Sequence, residues 1–114
     1  GAEATRSVYS AAGYFGTLAT EDALDLLGRY ERRFGPQAPV LNSMGESCYE
    51  AFNLLAALVR QAHSVDVRPV LHTAESAVGY HGPRGSVHLL DRHLMQRIYL
   101  AHAEGTEFDV VTQL

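Results

Sequence analysis

The chain has no lysine and no tryptophan, and its single cysteine is Cys48. A lone cysteine excludes an internal disulfide and any zinc centre built from several thiolates. Within its apolar surroundings, Cys48 is expected to be a buried structural thiol. All nine basic residues are arginines, a usage read as coding composition rather than chemical need, and they leave a formal net charge of −4. The densest basic stretch, Arg29-Tyr30-Glu31-Arg32-Arg33, is interrupted by acid and falls at a helix end, where cations offset the helix dipole. No nucleic-acid partner is therefore expected. No apolar run approaches the roughly 18 residues of a membrane span. Residues 1–5 have neither the basic region nor the apolar core of a secretory signal. A leading glycine without methionine is expected of a fragment.

What is present is the composition of a folded chain: 46% hydrophobic and 19% charged, in a length suited to at most one domain. Ser7 to Ala12 reads as a short strand, and Gly13-Tyr14-Phe15-Gly16 marks a bend or crossover. Thr20 is a good N-cap for a helix with Glu21, Asp22 and Asp25 in its first turns. Its apolar stripe is Ala23, Leu26, Leu27, Tyr30 and Phe34, and Gly35-Pro36 stops it. Ala38 to Asn42 reads as a short strand or extended entry. A second helix is expected from about Glu46 to His63, with Tyr49, Phe52, Leu55, Ala56 and Val59 on one face. Cys48, Ala51, Leu54, Leu58 and Ala62 fill much of the rest, so this helix needs cover on more than one side.

A third, short helix is expected with Asp66 as cap, Pro69 in its first turn, and Val67, Val70, Leu71 and Ala74 facing inward. Val78 to Pro83 reads as a loop, because two glycines and a proline interrupt it. Ser86 to Asp91 is predicted as a strand. Met95 to Ala103 is predicted as another, with Ile98 and Leu100 on one face and Arg97 and Tyr99 on the other. Glu104-Gly105 marks a hairpin turn, and Phe108 to Leu114 pairs back as the last strand. The order is one strand, three helices, then strands, which is an α/β or α+β unit.

Catalytic chemistry finds no support. Six histidines include no helical H-x3-H pair and no HExxH, so no metal site is expected. No serine sits in a G-x-S-x-G elbow, and Ser47-Cys48-Tyr49 lies in an apolar helix. Glu46 and Glu50 stand one helical turn apart and share a face, an arrangement that at a helix start favours the dipole. Gly82-Pro83-Arg84-Gly85 precedes a strand rather than a helix and so is not a phosphate loop. The chain is expected to be no enzyme and to need no cofactor.

In order and spacing, several motifs together resemble the C-terminal part of type I periplasmic binding proteins. They are Gly13-Tyr14-Phe15, the Thr20 helix ending Arg32-Arg33-Phe34-Gly35, and Glu46-Ser47-Cys48-Tyr49-Glu50-Ala51. The tail agrees through Gly82-Pro83-x-Gly85-x-Val87, Asp91, His93, Arg97-Ile98 and Gly105-x-x-Phe108-x-Val110. The nearest branch is the one binding amides, urea and branched-chain amino acids.

The resemblance implies an α/β fold: a partial lobe with three helices followed by a C-terminal β-hairpin region. Residues 1–114 would then be the C-terminal portion of a two-lobe protein. It further implies the solute-binding component of an ABC-type uptake system, closing its lobes on a small amide, urea or branched-chain or aliphatic amino acid. The partners implied are that small-molecule ligand and the ABC transporter's membrane permease. The location implied is periplasmic or extracytoplasmic, with or without a lipoprotein anchor. Ligand contact is expected at Met44, Glu46 and Tyr14, while Gly82 to Asp91 is read as a crossover and lobe boundary. With most of its lobe missing, the long helix would expose apolar surface and make the fragment a homo-oligomer. The alternatives are a cytoplasmic amide-sensing regulator of the same fold, or a stand-alone α+β interaction domain or enzyme.

Overall fold

The computed structural model describes Thr5 and residues 7–114, so the reading of residues 1–5 falls, Thr5 apart, outside the described residues. Those residues form β1 (Tyr9–Ala12), α1 (Glu21–Phe34), α2 (Ser43–Ala62), α3 (Val67–Thr73), β2 (Val78–Gly82), β3 (Gly85–Leu90), β4 (His93–Met95), β5 (Tyr99–Glu104) and β6 (Glu107–Gln113). The strands make two antiparallel sheets, ordered β1-β5-β6 and β2-β3-β4. This is the α/β architecture expected.

Helix α1 starts and stops where its sequence dictates. The Thr20 hydroxyl oxygen accepts from the Ala23 amide at 3.2 Å, and Glu21 and Asp22 occupy the first turn. The same hydroxyl donates to the Pro83 carbonyl at 2.9 Å, tying the helix start to the β2–β3 turn. At the other end Gly35 takes a positive φ of 80° and donates to the Glu31 carbonyl at 2.8 Å, an easy conformation for a residue without Cβ.

Helix α2 begins at Ser43 rather than Glu46, three residues before its expected start. Asn42 is the reason: its side-chain oxygen accepts from the amides of Met44 and Gly45 at 3.1 and 3.0 Å. This cap offsets the roughly 1 kcal/mol that Gly45 costs in a helix. Ala38 to Asn42 forms no strand; it is the irregular run into this cap. In α3, Val70 and Ala74 pack inward, but Val67 and Leu71 are exposed, against expectation. Seven residues make barely two turns, so only one narrow face meets α2 and the sheet.

Two strand readings are corrected. Val78 to Gly82 is a strand, not a loop, paired with β3 from Val78↔Leu89 to Gly82↔Gly85. Its glycines mark close approach rather than a break: a Cβ on Gly79 would lie 3.1 Å from the His88 ring. Pro83 and Arg84 make the two-residue turn, and Gly85 follows at φ 93°. Met95 to Ala103 is not one strand but two pieces in different sheets. β4 ends at Met95 beside β3, residues 96–98 cross over, and β5 enters between β1 and β6. The crossover is therefore residues 96–98, and Gly82 to Asp91 is hairpin within one sheet.

Two apolar cores result. Tyr14, Leu18, Ala23 and Tyr99 form one, beneath the sheet of β1, β5 and β6; Ala57, Leu58, Val78 and Leu89 form the other, between α2 and the sheet of β2, β3 and β4. The α2 residues Met44, Cys48, Ala51, Phe52 and Leu55 remain exposed on one stripe, so Cys48 is no buried thiol.

Candidate functional site

Between the two cores lies a buried polar cluster built from α2, the β2–β3 turn and the crossover. Arg84 sits at the turn because the two-residue hairpin aims its side chain back under the sheet toward α2. Its Nε donates to Glu46 Oε2 at 2.8 Å, and Nη2 donates to the same oxygen and, at 2.5 Å, to Ser47 Oγ. Nη1 donates to Gln96 Oε1 at 2.9 Å, which reaches the crossover. The Arg84 carbonyl accepts from the Tyr99 hydroxyl at 3.1 Å. The Arg84 side chain is 10% exposed and that of Glu46 is fully buried, so this pair is sequestered from water and weakly screened.

Glu50 lies one turn along α2 from Glu46 and is also buried. Among the described residues, neither of its carboxylate oxygens nor Glu46 Oε1 meets a hydrogen-bond donor. Burial pushes the Glu46 carboxyl above the ordinary carboxylate value; Arg84 pulls it back and Glu50 pushes it up again. The Tyr80 hydroxyl, pushed upward mainly by burial and then by Glu50, donates to the Glu50 carbonyl at 3.4 Å. Tyr14 is likewise raised, first by burial and then by the Glu46 charge.

Of the three residues expected to meet a ligand, the structure brings two near this cluster and leaves one outside. Glu46 is its centre, and Tyr14 is buried in the adjoining core within electrostatic reach of Glu46. Met44 stands 75% exposed at the start of α2. Glu46 does occupy the first turn of α2, as expected of an acid at a helix start, but it and Glu50 are buried. Sequence reasoning missed Arg84 and Gln96. The available signal was two carboxylates at i and i+4 on an otherwise apolar helix, which requires a buried cation somewhere else in the chain.

A second feature is an apolar groove of about 830 Å³ bordered by Phe15, Tyr30, Pro39, Val40, Leu41 and Phe108. It separates α1 and the 35–42 loop from the β5–β6 hairpin. Phe15 and Phe108 meet across its floor with ring centres 5.8 Å apart, and the Thr17 hydroxyl donates to the Phe108 carbonyl. Met44, Glu46 and Tyr14 do not border it. The histidines stay dispersed: His81 pairs with Asp22 at 3.0 Å, and the His102 ring meets the Tyr9 ring at a tilt of 49°. Among the described residues no group of histidine, cysteine and carboxylates is arranged to hold a metal ion.

Comparison with known proteins gives this architecture a family. The family model described as periplasmic binding protein matches residues 1–107. Among solved structures, a solute binding protein of an ABC transporter from R. palustris, in complex with benzoate, is 22% identical with a TM-score of 0.75, covering 96% of this chain and 30% of that one. An ABC transporter substrate-binding protein from Sphaerobacter thermophilus is 16% identical with a TM-score of 0.79, covering 98% and 32%. A leucine binding protein from Thermotoga maritima is 16% identical with a TM-score of 0.73, again covering 98% and 32%. The chain thus spans about a third of the length of these proteins. No curated protein matches it. The chain belongs to the periplasmic binding protein family.

Proposed function

We propose that this chain is the C-terminal portion of a two-lobe solute-binding protein that delivers its ligand to the membrane permease of an ABC-type uptake system. The ligand class is a small amide, urea, or a branched-chain or aliphatic amino acid, held by closure of the lobes from a periplasmic or other extracytoplasmic location. The observation that carries this reading is the family match along residues 1–107. The two-sheet arrangement supports it, since the sheets are joined through the links after β1 and before β5, as closure about a hinge requires. Leucine, bound by the Thermotoga maritima protein, falls within the proposed class.

Within this reading Met44 supplies an apolar contact at the exposed start of α2. Glu46 and Tyr14, both buried, shape the wall behind it. The test is calorimetric and thermal-shift titration of the full-length protein with amides, urea and aliphatic amino acids, with benzoate as an outgroup. Saturable binding of one of the first three classes is expected. Binding of benzoate alone would overturn the ligand class but keep the transport role, and silence toward all four would count against both.

A further inference from the structure

We propose that Glu46 and Glu50 hold one proton between them at neutral pH, so that their cluster with Arg84 is electrically neutral and forms a pH-responsive lock at the junction of the two sheets. The inference needs no bound solute and stands apart from the transport reading.

The donor inventory carries it. The Arg84 donors that enter the cluster are committed: Nε and Nη2 to Glu46 Oε2, Nη2 also to Ser47, and Nη1 to Gln96. Three carboxylate oxygens are left, Glu46 Oε1 and both of Glu50, buried and without a donor among the described residues. The two buried carboxyls stand one turn apart on the same face of α2, and two carboxylates offer only acceptors. A proton on either one supplies the missing donor. It also removes the second negative charge from a site that holds, among the described residues, the one cation Arg84, and an unpaired buried charge is the costlier alternative.

Among the described residues, the groups facing the pair from neighbouring elements offer no second cation. From β2 come Tyr80, whose hydroxyl donates to the Glu50 carbonyl at 3.4 Å, and Gly82. The link after β1 contributes Tyr14, the crossover contributes Gln96 through Arg84, and β5 contributes Tyr99, bound to the Arg84 carbonyl. His81, next to Gly82, is on the exposed side and pairs with Asp22 of α1. Glu50 also lies close against Gly82, where an added Cβ would come within 2.7 Å of its Oε1. When the proton leaves for solvent, the pair passes from one negative charge to two against the single charge of Arg84. The added repulsion then acts where Arg84 touches the crossover.

Infrared spectroscopy of the folded chain at neutral pH tests this directly. The wild type is expected to show the carbonyl stretch of one protonated carboxyl, and Glu50→Gln to lack it, because the amide supplies the donor instead. Glu104→Gln, a change at an exposed carboxylate, is expected to leave the band in place. A folded wild type with every carboxyl ionised at neutral pH would overturn the proposal, as would a band that survives in both Glu50→Gln and Glu46→Gln. The wild-type spectrum decides the matter even where a variant fails to fold.

Discussion

Arg84 Nη1 donates to Gln96 Oε1 at 2.9 Å, and a Cβ on Gly13 would sit 2.9 Å from that same nitrogen. One guanidinium therefore lies against both links that join the sheet of β1, β5 and β6 to the rest of the chain. Replacing it with alanine leaves the buried Glu46–Glu50 pair without its cation. Arg84→Ala is expected to cost about 3–5 kcal/mol, read as a lowered midpoint in urea denaturation. Arg84→Lys is expected to recover little of this, since an ammonium cannot serve Glu46, Ser47 and Gln96 with one planar fork. Recovery to wild-type stability by lysine would show that charge alone matters there.

Gly82 and Glu50 form a second coupled pair. Adding a methyl in Gly82→Ala brings a carbon to 2.7 Å from Glu50 Oε1, an overpacking expected to cost about 1–3 kcal/mol. In a Glu50→Ala background the obstacle is gone, and the same change is expected to cost much less. A double-mutant cycle by chemical denaturation measures the difference. Equal costs in both backgrounds would mean that Gly82 is required for its backbone and not for the space it leaves.

The pH dependence has a definite sign. The folded-state value of Glu46 is raised, so its contribution to stability is fully present below the ordinary carboxylate value and is lost as pH rises through the raised one. Tyr80 and Tyr14 are raised from 10.0 and act in the same direction, beginning in the alkaline range. Thermal melts from mildly acid to alkaline pH are expected to show falling stability, with a shallower fall in Glu46→Gln. A wild-type profile that rises toward alkaline pH would contradict this ordering.

Thr20 serves two elements with one hydroxyl, as cap for Ala23 and donor to Pro83. Thr20→Val keeps the shape and removes both bonds, at an expected cost of about 1–2 kcal/mol. Thr20→Ser is expected to stay within a few tenths of a kcal/mol of wild type. Differential scanning calorimetry of the two variants separates the hydroxyl from the methyl group.

The exposed stripe of Met44, Phe52 and Leu55 on α2 gives an expectation for the chain by itself. Contiguous apolar surface of this kind favours association, so light scattering should find an assembly larger than a monomer. Phe52→Glu should shift it toward the monomer without loss of helix by circular dichroism. A monomeric wild type would remove the stripe as an association surface.

Much of this was legible in the chain. Thr20, Gly35-Pro36 and the apolar stripe of α1 act locally, and a local signal survives in sequence. The β5–β6 hairpin was readable for the same reason, through Gly105 and the alternation around it. What failed was non-local. Gly79 and Gly82 read as breakers because the sequence does not show His88 and Glu50 pressing on the space they leave. The change of sheet at residues 96–98 was missed because Gln96-Arg97, the polar step at which it falls, brings no glycine or proline to mark a break. Of the site, the spacing of Glu46 and Glu50 was seen, but their burial depends on an arginine 38 positions from Glu46, and no periodicity connects them.

The pairing of Tyr9 with His102 has a kinetic consequence. The β2–β3 and β5–β6 hairpins close through two-residue turns, so their ends meet at little entropic cost. β1 must find β5 across about ninety intervening residues, a much longer loop to close. The hairpins are then early structures, and β1 docks last onto an edge that β5 already presents. Native-state hydrogen exchange is expected to give the matching order, with amides of β1 exchanging by local opening while those shared by β5 and β6 stay protected. The same protection in all three strands would mean that the sheet forms and opens as one unit.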